Sequence, residues 1–192
     1  MQDPLQLWLP ILVAAVAVFI ASSLIHMVFK WHNADYTRLS NEDEVRAAIR
    51  AGSAKPGLYV LPHCTDMKEI QGEQMQKKFR EGPVGFLTLR KIGPPSMGGS
   101  LLQWFTFNLV VSMVTGDIAL QLYHLQANPV DVSQMVGLLS FLTYAGSSVQ
   151  AGIWMGKPWR AVFKDMLDGL IYAVVSGLAF WWLWPVVKIT RI

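Results

Sequence analysis

The chain has a single cysteine, Cys64, so it can form no internal disulfide, and a disulfide framework is excluded as a source of stability. Charge is also scarce. Only 15% of the 192 residues are Asp, Glu, Lys or Arg, where an ordinary soluble domain carries about 25%. No internal repeat or low-complexity tract occurs, and no basic stripe interleaved with aromatics supports a nucleic-acid partner. No Lys or Arg precedes Lys30, which denies the first apolar block the basic start of a secretory signal. That block is also too long for one, so it is read as an uncleaved helix, with Pro10 tolerable near its start.

Apolar residues are abundant instead: 53% of the chain, with a mean hydropathy of +0.34. They gather into four stretches of membrane-spanning length, Leu5 to Phe29, Leu101 to Tyr123, Val132 to Met155 and Ala161 to Val187. Backbone groups in hydrocarbon must be satisfied within the segment, and the alternation of a barrel strand is absent, so each stretch is expected to be a helix. The fold class is therefore an all-α integral membrane protein with four transmembrane helices and a small α+β segment between the first and second. The expected division is residues 1–30, a cap segment 31–99, and a three-helix region 100–192.

Lys and Arg set the expected orientation, because they accumulate in cytoplasmic loops. Eleven lie between Lys30 and Lys91, and Lys157, Arg160 and Lys164 lie between the third and fourth spans; Lys188 and Arg191 are the exceptions. Residues 31–99 are thus expected in the cytoplasm, with both termini outside. Tryptophans fit the same frame as interface anchors: Trp8, Trp181, Trp182 and Trp184 on one side, Trp31, Trp104, Trp154 and Trp159 on the other.

Small residues every four positions let membrane helices approach closely. Three such stripes occur: Asn108, Ser112 and Gly116; Ser148, Gly152 and Gly156; Gly169, Ala173 and Gly177. A short turn around Lys157-Pro158-Trp159 lets the last two face each other. In the cap, Ser40 to Glu44 opens a helix that Gly52 closes, Met67 to Phe79 has loose helical spacing, and Leu58–Leu61 and Val84–Leu89 read as strands.

Chemistry is thinly signalled. His63 and Cys64, with Asp66 beside them, are weak metal candidates that fall short of a structural zinc set, so no metal or other cofactor is expected. A haem between His26 and His124 would need ligands at opposite ends of the membrane. Asp165 and Asp168 read as acids at the start of span four, near Arg160 and Lys164. Gly93 to Ser100 lacks the Lys-Ser/Thr ending of a phosphate loop, which leaves Ser100 as the expected N-cap of span two. Asp117 is the one acid deep in a span. It shares a face with Gln103, Thr106 and Gln121, and an ionisable residue so placed is a functional candidate by default.

Gly82-Pro-Val-Gly-Phe-Leu-Thr-Leu, the Gly-Pro-Pro-Ser-Met-Gly-Gly-Ser run ahead of span two, Gly156-Lys-Pro-Trp-Arg, and the stretch from Asp168-Gly-Leu-Ile-Tyr to Trp184-Pro185 resemble a group of uncharacterised bacterial four-helix inner-membrane proteins with no assigned activity. The resemblance covers nearly the whole chain. It implies a bacterial inner membrane and carries over no catalytic residues. The expected role is non-enzymatic: an accessory or scaffolding subunit of a larger membrane complex, such as a respiratory or photosynthetic one, with the lipid bilayer and other membrane subunits, or further copies of itself, as partners. The alternative is a small transporter or proton-coupled carrier using Asp117.

Overall fold

In the computed structural model, described over residues 4–125 and 127–185, the four apolar stretches are four long helices. Helix α1 (Trp8–Ser23) runs on as a wider π-helical turn, Leu24–Phe29, and a 3-10 turn, Trp31–Asp35, follows. Next come α2 (Glu42–Ala51), β1 (Gly57–Leu61), α3 (Met67–Gln71), α4 (Glu73–Glu81) and β2 (Gly85–Leu89), then α5 (Met97–Tyr123), α6 (Pro129–Trp154) and α7 (Trp159–Leu183). Trp8–Phe29, α5, α6 and α7 are each long and apolar enough to cross a membrane.

The chain divides into a helical unit, Met1–Asp35 with Ser96–Ile153 and Lys157–Ile192, and a second unit, Tyr36–Pro95 with Trp154–Gly156. The expected boundary at residue 30 therefore moves. Trp31–Asp35 belongs with the long helices.

Local chemistry sets the helix ends, and it shifts some of the expected ones. Helix α5 starts at Met97 because the Ser96 side chain accepts a bond from the Gly99 N–H at 3.3 Å; Ser100, expected as the cap, sits inside the first turn. Helix α6 opens on Pro129, whose missing N–H costs nothing there, while Asn128 Oδ1 accepts from the Val130 N–H at 3.0 Å. Helix α7 stops at Leu183 because Trp184 precedes Pro185 and is driven to extended backbone, ψ 124°. The expected end at Val187 lies outside the described residues.

Helix α1 packs between α5 and α7. At one end Leu7, Leu120, Val132, Phe180 and Trp184 form a closed apolar core; towards the other, Val18, Ile25 and Tyr172 pack with Trp104 and Tyr144. Glycines set the close approaches. A Cβ on Gly116 would lie 2.9 Å from the Phe180 ring, on Gly169 2.9 Å from the Ala145 Cβ, on Gly177 2.9 Å from the Ser133 carbonyl oxygen, and on Gly152 3.0 Å from Val162. The α6 side of the antiparallel α6–α7 contact thus runs from Ser133 past Gly137, which faces Ala173, to Ala145 and Gly152. That stripe is offset from the expected Ser148–Gly152–Gly156 set. Gly156 is not a packing position, for it takes φ +68° in the turn after α6 with nothing near its missing Cβ. Asn108 and Ser112 are buried, and Ser148 bonds to Asp165.

In the second unit β1 and β2 pair antiparallel, from Gly57 opposite Leu89 to Leu61 opposite Gly85. The helical stretch between them breaks in two at Gly72, whose backbone is extended. Met75 of α4 is the buried apolar residue of this unit.

Replacing Gly169 or Gly177 by Leu should destabilise the detergent-solubilised protein by about 1–3 kcal/mol through overpacking. Gly146→Ala, with open space around the added methyl, should be near neutral. Thermal denaturation of the three variants checks this, and equal midpoints would contradict the packing described.

Candidate functional site

The widened turn at the end of α1 brings the first functional side chain into place. Lys30 N–H reaches back five residues to the Ile25 carbonyl at 2.9 Å, and Lys30 itself takes the left-handed conformation, φ 52°. An L-residue pays about 1–2 kcal/mol to sit there, and π-helical turns recur at functional positions. His26 lies within this turn. The 3-10 turn that follows sets His32 and Asp35, three residues apart, on one side, where they meet the first turns of α7.

Helix α7 contributes Lys164, Asp165 and Asp168, which share a face by helical spacing. His32 stands between two carboxylates. Its Nδ1 is 3.1 Å from Asp35 Oδ2 and its Nε2 is 2.8 Å from Asp168 Oδ2. Lys164 donates to Asp35 Oδ1 at 2.6 Å and to the Trp31 carbonyl at 2.7 Å, which ties the 3-10 turn to α7. Asp165 accepts from Ser148 of α6 and pairs with Lys157. His26 Nε2 lies 3.7 Å from Asp168 Oδ2, and the His26 and His32 rings are 4.9 Å apart, tilted by 33°.

His26, Asp165 and Asp168 border a cleft of about 410 Å³, whose wall also includes Ser22, Trp104, Tyr144, Ser148 and Tyr172. Trp104, Tyr144 and Tyr172 stand edge-to-face, with centroids 5.4–6.1 Å apart. Two polar tips in this wall have partners: Trp104 Nε1 donates to Ser22 Oγ at 2.8 Å, and Tyr144 donates to Asn108 Oδ1 at 3.2 Å. Asp168 differs. Its side chain is 7% exposed, and its Oδ1 is buried without a hydrogen-bond partner.

Charge and hydrogen-bond direction together restrict what the cluster can do. The Lys164 ammonium, then His32, hold the Asp35 carboxyl below the usual carboxylate range against the opposing effect of burial, so Asp35 is a carboxylate acceptor at neutral pH. A neutral His32 that gives its Nδ1 proton to Asp35 turns a lone pair at Nε2 towards a lone pair of Asp168. Two lone pairs 2.8 Å apart repel unless a cation lies between them. Three carboxylates, Asp35, Asp165 and Asp168, meet two ammonium groups, Lys157 and Lys164, and two imidazoles here.

Asp117 is half-buried, bonds to Gln121 of its own helix at 2.6 Å, and faces a groove whose other walls, Leu7, Trp8, Ile11, Leu109, Met113, Val114 and Ile118, are apolar. Gln103, Thr106 and Gln121 are exposed on that side. Among the tryptophans, Trp8, Trp154, Trp159, Trp181 and Trp182 are exposed, as interface anchors would be. Trp184 is buried against Phe180, and Trp31 and Trp104 are partly buried within the bundle, so these three pack inside the chain instead of ringing it. His124 caps the far end of α5 from the cleft.

His63 brings no partner to Cys64. The Cys64 thiol donates to Glu69 Oε2 at 3.2 Å and to the Asp66 carbonyl at 3.3 Å. Desolvation, then the Glu69 carboxylate, push this thiol above its ordinary range, which disfavours the thiolate that a metal requires. The reactive grouping of the helical unit, His26, His32, Asp35, Asp165 and Asp168, was not singled out from sequence as a set. The available signal was charge: Lys164, Asp165 and Asp168 inside the first turns of an otherwise apolar helix.

Cys64 should therefore react with iodoacetamide at pH 8 more slowly than a free model thiol, and Glu69→Gln should speed it by removing the like charge. A rate equal to the model thiol, unchanged by Glu69→Gln, would contradict that environment. No family model, no characterised protein and no solved structure matches this chain.

Proposed function

We propose that this chain is a non-enzymatic, multi-pass membrane protein that binds a cation in the cleft beside Asp168. The four apolar helices support insertion in a bilayer. The positive-inside rule supports placing the cleft end, which carries Lys157, Arg160 and Lys164, on the cytoplasmic face, with the ends of the chain outside. The resemblance noted above supports the bacterial inner membrane.

The observation that carries the reading is the Asp168 carboxylate. One oxygen lies 2.8 Å from His32 Nε2, and the other is buried and unpaired. A buried carboxylate with one oxygen unpaired is costly, and a positively charged group beside that oxygen would offset the cost. A proton is the smallest completion. The cleft, the second imidazole and the unpaired oxygen leave donors and room for a larger one.

The stripes that suggested an accessory or scaffolding subunit meet this chain's own residues, Ala145 and Ser133 at Gly169 and Gly177 and Phe180 at Gly116. The cleft, not the stripes, therefore carries the functional reading. A carrier built on Asp117 would need a polar route, and the residues around Asp117 in its groove are apolar.

The test is thermal denaturation of the whole chain in nanodiscs against chlorides of mono- and divalent cations. An ion that binds the native state stabilises it by about 2.7 kcal/mol at a hundred times its Kd. At least one ion should raise the midpoint, and Asp168→Asn should remove the rise. A panel in which none does so would overturn the reading.

A further inference from the structure

Building on that cation site, we propose that its occupant is a divalent transition-metal ion of the zinc class, held by His26, His32 and Asp168, with Asp35 as the group that orients His32. The three ligand atoms already lie within 4.8 Å of one another. Asp168 Oδ2 is 2.8 Å from His32 Nε2 and 3.7 Å from His26 Nε2. Ligands at about 2.0–2.2 Å from one ion stand roughly 3.0–3.5 Å apart, so small side-chain rotations convert the present spacing into a coordination triangle.

The chemistry of the set selects the ion. Two imidazoles and one carboxylate suit zinc, iron or cobalt in the divalent state, whereas calcium and magnesium take oxygen ligands. A metal-bound imidazole characteristically gives its other N–H to a carboxylate, and His32 Nδ1 has Asp35 at 3.1 Å for that purpose. Lys164 fixes Asp35 in turn, at 2.6 Å. The buried, unpaired Oδ1 of Asp168 is accounted for as the second oxygen of a ligating carboxylate.

Access is present as well. His26 has a side chain 52% exposed while His32 and Asp168 are 15% and 7% exposed, so an ion reaches His26 first and is then drawn to the buried pair. The π-helical turn places His26 at this point. Three protein ligands leave further coordination positions open to the cleft.

The experiment is equilibrium binding of Co²⁺ and Zn²⁺ to the full-length protein in nanodiscs after chelation, read by isothermal titration and by the visible d–d bands of cobalt. The expected result is one ion per chain, with His26→Ala weakening binding at least tenfold and Asp35→Asn weakening it about 10–100-fold through His32. Asp117→Asn should bind as the parent does. Because His26 is half exposed, its variant tests the site even where Asp168→Asn fails to fold. Stoichiometric binding untouched by His26→Ala would overturn the proposal by placing the ion elsewhere. Absence of Co²⁺ and Zn²⁺ binding, alongside Asp168-dependent stabilisation by another cation, would overturn the metal and leave the cation site standing. If no cation stabilises the protein, both fall.

Discussion

A carboxylate turned into a helix wall loses its water, and the cost of several kcal/mol has to be met by neighbours. Asp168 imposes that demand on this chain. The end of α1 departs from regular α-helix, Lys30 accepts a left-handed backbone, and the 3-10 turn folds back on α7, and together these bring His26 and His32 to Asp168 and Asp35 to Lys164. Removing the carboxylate would leave that rearrangement of α1 without an electrostatic reason.

The helices around the cluster are spaced to suit it. Towards the Leu7 end the bundle is closed by apolar side chains, and Phe180 fills the gap that Gly116 leaves. Towards the His32 end the wide rings of Trp104, Tyr144 and Tyr172 meet edge-to-face, and the cleft opens beside them. Small residues on α6 and α7 then draw those two helices close enough for Ser148 to reach Asp165. Close packing on one face and bulky packing on another thus create a polar recess in an otherwise apolar bundle.

Much of the architecture was legible in the sequence, because long unbroken apolar stretches without strand alternation favour helices that satisfy their own backbone. The four helices and the two short strands could be read directly, but their ends depended on single side chains: Ser96 took the cap expected of Ser100, and Trp184 ended α7 ahead of Pro185. Register between helices was harder. Glycines on α7 were visible, but their α6 partners, Ala145 and Ser133, follow from how the helices cross and not from spacing within either. The cluster was least legible, since His32 and Asp168 are 136 residues apart and each has an ordinary local explanation. Asp117 drew attention through its depth alone. Depth says nothing about partners, and its structural partner is Gln121, one turn away on the same helix.

X-ray absorption at the metal edge of the zinc-loaded protein tests the central claim most directly, because it reports ligand atoms and not merely affinity. The account predicts only nitrogen and oxygen neighbours at about 2.0–2.2 Å, with the outer-shell pattern of two imidazoles. A sulfur neighbour near ~2.3 Å would place the ion at Cys64 and contradict the site described for His26, His32 and Asp168.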